Sequence, residues 1–144
     1  MSGYSGTPLA RKLGIRAHAR LFVQAAPENY HELVAPLPEG VRSVPRIDAR
    51  TDLIHLFATS STALARALTA ARRAMREDAV VWVSWPKKAS AVATDISENG
   101  IRTLALALGL VDVKVCAVDE TWSGLKLVLR LRHRAHATKV ARRP

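Results

Sequence analysis

The chain reads as an α/β protein: a three-layer α/β/α sandwich with a mostly parallel, Rossmann-like sheet and a C-terminal antiparallel hairpin. Three observations predict this. The stretch Ala79–Pro86 (AVVWVSWP) is apolar on both alternating faces, Val80 and Trp82 on one and Val81, Val83 and Trp85 on the other. That pattern describes a strand covered on both sides, as in a parallel sheet flanked by helices. Strand-like runs alternate with segments of helical period in the order β, α, β, β, α, β, α, β, β, which calls for right-handed crossovers onto one sheet. The chain then closes in two runs of period two around the loop Asp119–Gly124, the mark of a half-exposed hairpin.

Taken in order, Met1–Thr7 is a glycine- and serine-rich lead. Thr7 is placed as N-cap and Pro8 as first residue of a short helix that Gly14 ends. Tyr4, Ser5 and Thr7 belong to an arm expected to pack on the body. Ala19–Ala25 is the first strand, followed by a weak helix over Glu28–Val34. The turn between them, QAAPENY, has no glycine, which argues against a dinucleotide or S-adenosylmethionine there, because a bare backbone is what lets such a ligand approach.

Gly40–Ile47 is a short strand that Pro45 confines to an edge, and Leu53–Ala58 an inner parallel strand. His55 within it is expected to be hydrogen-bonded packing. Leu64, Ala67, Leu68, Ala71 and Met75 then recur at the helical period, capped from Thr59–Thr62, with Arg66, Arg72, Arg73 and Arg76 on a solvated face. After the central strand comes Pro86–Ser90 (PKKAS), then a helix with Asp95 as N-cap, Glu98 at capping-box spacing, a buried stripe of Ile101, Leu104, Ala105 and Leu108, and Gly109 at its end. In the hairpin, Val111, Val113, Val115 and Ala117 share one face of the first strand, and Leu125, Leu127, Leu129 and Leu131 one face of the second.

Composition bounds the function. At 144 residues, half of them apolar, the chain is one globular domain over residues 1–132, with a basic, disordered tail expected over 133–144. No run approaches a membrane span, and Cys116 is the only cysteine, so a cytoplasmic protein is expected, with no membrane partner. The formal charge of +10 is partly the tail's: six of the 22 Lys/Arg lie in 130–144, leaving sixteen bases against twelve acids elsewhere.

Two resemblances add to this. The final hairpin after β–α–β–α–β resembles the end of the class I methyltransferase fold, here in a short version lacking at least one β–α unit and the acidic, glycine-rich first motif. The segments GYSGTPLARKLGI (Gly3–Ile15), WVSWPKKASAVATDI (Trp82–Ile96) and GLVDVKVCAVDETWSGLKLVLR (Gly109–Arg130) together are similar to an uncharacterised family of small bacterial domain-of-unknown-function proteins. That resemblance implies no transferable activity and leaves the tail outside the shared domain.

If the sheet is parallel, its strand ends bring Gln24–Pro27, Thr59–Thr62, Pro86–Ser90 and Asp119–Gly124 to one edge, where open α/β sheets bind ligands. The candidate site is Lys87, Lys88, Ser90, Asp119, Thr121, Trp122 and Ser123, with Glu120 beside them: two lysines, hydroxyls and a helix start, suited to an anion such as phosphate or carboxylate. In the competing reading, Lys87 or Lys88 pairs with Asp119 or Glu120 and Trp122 caps the core. No catalytic residue, metal or cofactor is expected: Asp119 and Glu120 are adjacent and diverge, Cys116 is packed in the sheet, and His133 and His136 in an arginine-rich segment make a poor metal site.

The expectation is a non-enzymatic binding or regulatory module for an anionic small molecule or protein partner. One alternative is a diverged methyltransferase-like or acyl-transferase-like enzyme using the Lys87/Lys88 and Asp119/Trp122 rim. The other is nucleic-acid association through the tail. The oligomeric state is not expected from sequence.

Overall fold

The computed structural model describes residues 6–130. Its elements are α1 (Leu9–Leu13), β1 (Arg20–Gln24), α2 (Tyr30–Val34), β2 (Arg42–Ser43), β3 (Leu53–Phe57), α3 (Ser61–Ala74), β4 (Val80–Pro86), α4 (Glu98–Ala107), β5 (Leu110–Ala117) and β6 (Trp122–Leu129). They form one six-stranded sheet in the order β2-β1-β3-β4-β6-β5. β2, β1, β3 and β4 are parallel, and β6 runs antiparallel between β4 and β5. The expected α/β class and terminal hairpin are both present.

Two cores explain why the strands look as they do. On one face, α3 and α4 bury Leu64, Leu68, Ala71, Ile101 and Ala105 against Ile54, Leu56, Val81, Val83, Trp85, Leu125 and Leu127. On the other, α1 and α2 bury Leu9, Leu13, Tyr30 and Val34 against Leu21, Leu53, Phe57 and Trp82. Both faces of β4 are therefore consumed, as its doubly apolar pattern predicted. Trp82 is fully buried and its indole N–H donates to the Leu13 carbonyl at 2.9 Å, pinning the end of α1 to the middle of the sheet. Gly14, at φ 79°, then ends α1 in the left-handed conformation.

Several local expectations are corrected. Thr7 does not cap α1; Pro8 holds the N-cap position without a side-chain bond. The N-cap of α4 is Ser97, whose hydroxyl accepts from Gly100 N–H at 3.0 Å, so Glu98 falls on the first helical position and no capping box forms. Asp95 instead reaches across to α3, where its Oδ1 accepts from Ser61 N–H at 2.7 Å, beside the Ser60 cap. Sequence spacing cannot distinguish these outcomes, because a carboxylate serves whichever helix start lies nearest in space.

The arginines in and just beyond α3 do more than face water. Arg72 Nε donates to the Leu108 carbonyl at 2.9 Å, and Arg76 bonds Asp52 and Asp78, both at 2.7 Å. Burial alone would raise the Asp52 pKa, but hydrogen bonds from Arg20 N–H and Arg76 outweigh it and hold the carboxyl below its usual value. The single apolar face foreseen for β5 is also broken. A bulge between Asp112 and Lys114 shifts the register, so that Asp112 stands opposite Leu127 and Lys114 opposite Lys126. Asp112 therefore lies on the α4 side of the sheet and Lys114 on the α1 side, while Val113 and Val115 are about half exposed.

Candidate functional site

Because β1, β3 and β4 are parallel and β6 begins where β4 ends, the four predicted loops do converge on one edge. PKKAS and DETWSG meet directly: Lys87 N–H donates to the Thr121 carbonyl at 2.8 Å, and the ladder pairs Trp85 with Ser123 and Pro86 with Trp122.

Within that edge, strand alternation divides the predicted residues. Ser123 lies opposite Trp85, on the α3/α4 side, whereas Trp122 falls on the α1/α2 side. Trp122 is half-buried and meets the Phe57 ring edge-on at 5.0 Å, which is the core-capping arrangement rather than an exposed aromatic. Asp119 turns inward: its Oδ1 accepts from Thr121 N–H and Trp122 N–H, both at 2.8 Å, closing the hairpin loop. Ser90 is occupied likewise, its hydroxyl donating to the Lys87 carbonyl at 2.8 Å and accepting from Val92 N–H at 3.3 Å. Asp119, Thr121, Trp122 and Ser90 thus shape the loops, and only Lys87, Lys88 and Ser123 of the predicted set line a groove.

That groove, about 780 Å³, runs from Trp85 and Lys87 along the loop at Thr94 to the first turn of α4. Its far wall is the part sequence reasoning missed: Ser97, Asn99 and Arg102. Arg102 is braced by Glu98, by Asp112 Oδ2 at 2.9 Å and by Asn99 Oδ1 at 3.1 Å, so the wall is preorganised. The hydrogen bonds to Asp112, first, and to Glu98 raise the Arg102 pKa further. Helix geometry leaves the opening N–H groups of α4 without intrahelical partners, on the same side as the two lysines. The Ser97-Glu98-Asn99-Gly100 start was a legible signal, hidden by assigning the cap to Asp95.

A second place is marked by topology. The chain leaves β1 toward β2 on one side and continues in β3 on the other, so the switch point lies between the β1 and β3 ends. The turn there has no glycine, yet Ala25 adopts φ 58°, the left-handed conformation glycine ordinarily supplies. Beyond β2 the chain reads Val44-Pro45-Arg46, with no acid where nucleotide-binding α/β folds keep one for the ribose.

Buried just below this edge is a hydrogen-bonded chain of three side chains. Tyr30 Oη bonds His55 Nδ1 at 2.9 Å, and His55 Nε2 bonds Ser84 Oγ at 2.7 Å, with the imidazole stacked on Phe57 at 4.3 Å. His55 has no exposed surface, and burial pushes its pKa down to about 3. It is packing, as expected of a strand histidine, and its hydroxyl partners were not foreseen. Cys116 is half-buried; burial raises its pKa, against the opposing influence of Lys12 and Lys114. His133 and His136 lie outside the described residues, as does the tail. No described helix is long and apolar enough to cross a membrane.

No family model matches this chain. No curated protein matches it either. Solved structures do. It is similar to DhpI in complex with SAH, at 13% identity over 85% of this chain and 82% of that one, with a TM-score of 0.58. It is also similar to a protein of the NADB-Rossmann superfamily from Streptococcus agalactiae (9% identity, 90% and 71% covered, TM-score 0.54) and to a SAM-dependent methyltransferase from Aquifex aeolicus (12%, 83% and 86%, 0.51). Of three larger matched structures the chain spans between 39% and 42%.

At such identities the likeness establishes the fold: a Rossmann-like, methyltransferase-type α/β sheet with its antiparallel hairpin. The methyltransferase-like topology is upheld, while no family match supports the uncharacterised bacterial family. The expectation of a non-enzymatic binding module is corrected by the same finding, since a SAM-dependent methyltransferase and a protein solved in complex with SAH share the fold of this chain.

Proposed function

We propose that this protein is a diverged methyltransferase-like enzyme that acts on an anionic acceptor. One observation carries the reading: β6 inserted antiparallel between β4 and β5, beside parallel β1, β3 and β4, reproduces a methyltransferase-type sheet over most of the chain. The donor that fits the switch point is S-adenosyl-L-methionine, which supplies an activated methyl group. Its fit rests on the main chain: the left-handed Ala25 turn between Gln24 and Pro27 would hold it. The residues directly after β2, Val44-Pro45-Arg46, offer no acid to anchor its ribose, so weak, backbone-dominated binding is expected.

The acceptor belongs in the neighbouring groove. Lys87 and Lys88 on one wall and the α4 first turn on the other favour a carboxylate or phosphate on the acceptor, because ammonium charge and helix dipole have the same sign there. Arg102, locked by three partners, shapes the wall and is not free to chase the ligand. Ser123 supplies a hydroxyl within the same groove, for orienting the acceptor.

Calorimetric titration with S-adenosyl-L-methionine and SAH, followed by methyl transfer from labelled donor to a panel of carboxylated and phosphorylated small molecules, tests the reading. Saturable binding of donor or SAH is expected, with transfer falling at least tenfold in Lys87→Ala/Lys88→Ala and donor affinity unchanged. No binding of either compound at millimolar concentration would overturn it.

A further inference from the structure

On the opposite face of the sheet from the groove, Arg11, Lys12, Lys114 and Lys126 gather positive charge. The bulge in β5 sets Lys114 directly across from Lys126, and like charges in that position destabilise a ladder. Lys114 also reaches α1, its ammonium 3.4 Å from the Lys12 carbonyl. Between α1 and β5 lies a hollow of about 410 Å³, lined by Thr7, Arg11, Lys12, Lys114 and Cys116 among others, with no acidic side chain among the described residues that line it. A second hollow, about 600 Å³, continues past Lys126 to Arg16. Its two carboxylates, Asp52 and Asp78, are already bonded by Arg76.

We infer that this face, formed by Arg11, Lys12, Lys114 and Lys126, binds the phosphodiester backbone of a nucleic acid. A polyanion relieves the Lys114–Lys126 repulsion, and a row of cations spread over a helix end and two strands suits repeated phosphates better than one compact anion. The chain's +10 charge steers such a partner from a distance. The site is on the folded domain, distinct from the basic tail, and stands independently of the methyl-transfer reading.

The test uses the full chain and a fluorescein-labelled single-stranded oligonucleotide of about 20 nucleotides, followed by anisotropy between 50 and 200 mM salt. Two neutralised phosphates account for a slope of about −1.4 in log K against log salt. The variant Lys114→Gln/Lys126→Gln should therefore lose about 1.4 of the wild-type slope and bind at least tenfold more weakly at 50 mM. A tail variant, Arg132→Gln/Arg134→Gln/Arg142→Gln/Arg143→Gln, measures the tail's share.

The single thiol supplies an independent readout. Oligonucleotide should slow modification of Cys116 by an aromatic disulfide reagent in the wild type and the tail variant, and not in the lysine variant. Circular dichroism confirms that each variant folds. The inference fails if affinity and slope follow the tail variant alone or if no binding occurs at 50 mM salt. It fails equally if inorganic phosphate protects Cys116 as well as the oligonucleotide does.

Discussion

Replacing His55 by glutamine should remove a specific part of the acid sensitivity of this fold. His55 is wholly buried, accepts or donates to Tyr30 and Ser84 hydroxyls, and has its pKa lowered to about 3 by burial. In the unfolded chain a histidine titrates near 6.5. Between those values the unfolded state binds a proton that the folded state refuses, so stability falls as pH falls. The contribution is fully present above about pH 6.5 and declines at roughly 1.4 kcal/mol per pH unit below it, amounting to about 2 kcal/mol between pH 7 and pH 5. Against a total of about 5–15 kcal/mol for a domain, that is readily measured.

Glutamine offers a donor and an acceptor to the same hydroxyls and does not titrate. Urea unfolding of wild type and His55→Gln at half-unit intervals from pH 7.5 to pH 5 gives the difference in stability at each pH. Other titrating groups are common to both proteins and cancel in that difference. It should shrink by about 2 kcal/mol as the pH drops from 7 to 5. A difference constant across the range would refute the reasoning, because it would mean that His55 takes up its proton equally in both states.

Trp82→Phe should cost about 2–3 kcal/mol, since it strands the Leu13 carbonyl in the core as well as removing buried ring area, and hydrogen exchange should quicken in α1 before other elements. Asp95→Ala and Ser97→Ala should each cost about 1 kcal/mol by urea unfolding, but should fray different helices: amide protection should fall at the start of α3 for the first and of α4 for the second. The same loss at α4 in both variants would show that Asp95 serves its own helix.

Much of the architecture was legible in the chain because burial leaves a periodic trace. The doubly apolar Val80–Trp85, the stripe Leu64–Met75 and the short edge strand before Pro45 each report what covers them, and β4, α3 and β2 stand where those patterns put them. The convergence of PKKAS and DETWSG also followed, since strand direction alone decides which loops share an edge. Which of their residues face the groove did not follow. Trp122 and Ser123 are neighbours in sequence and lie on opposite sides of the sheet, a matter of register with β4.

Composition and pattern alone thus determined the α/β class, the terminal hairpin, the buried faces of α3, α4 and β4, and the edge at which chemistry is possible. Only the tertiary structure decided that Asp95 caps α3, that Asp119 and Ser90 are spent on their own loops, that Ala25 takes a glycine's conformation, and that a bulge faces Lys114 with Lys126. The physical reason is the range of the interactions. Hydrophobic periodicity is written along the chain, whereas a carboxylate's partner, a backbone's handedness and a strand's register are settled by atoms remote in sequence and near in space.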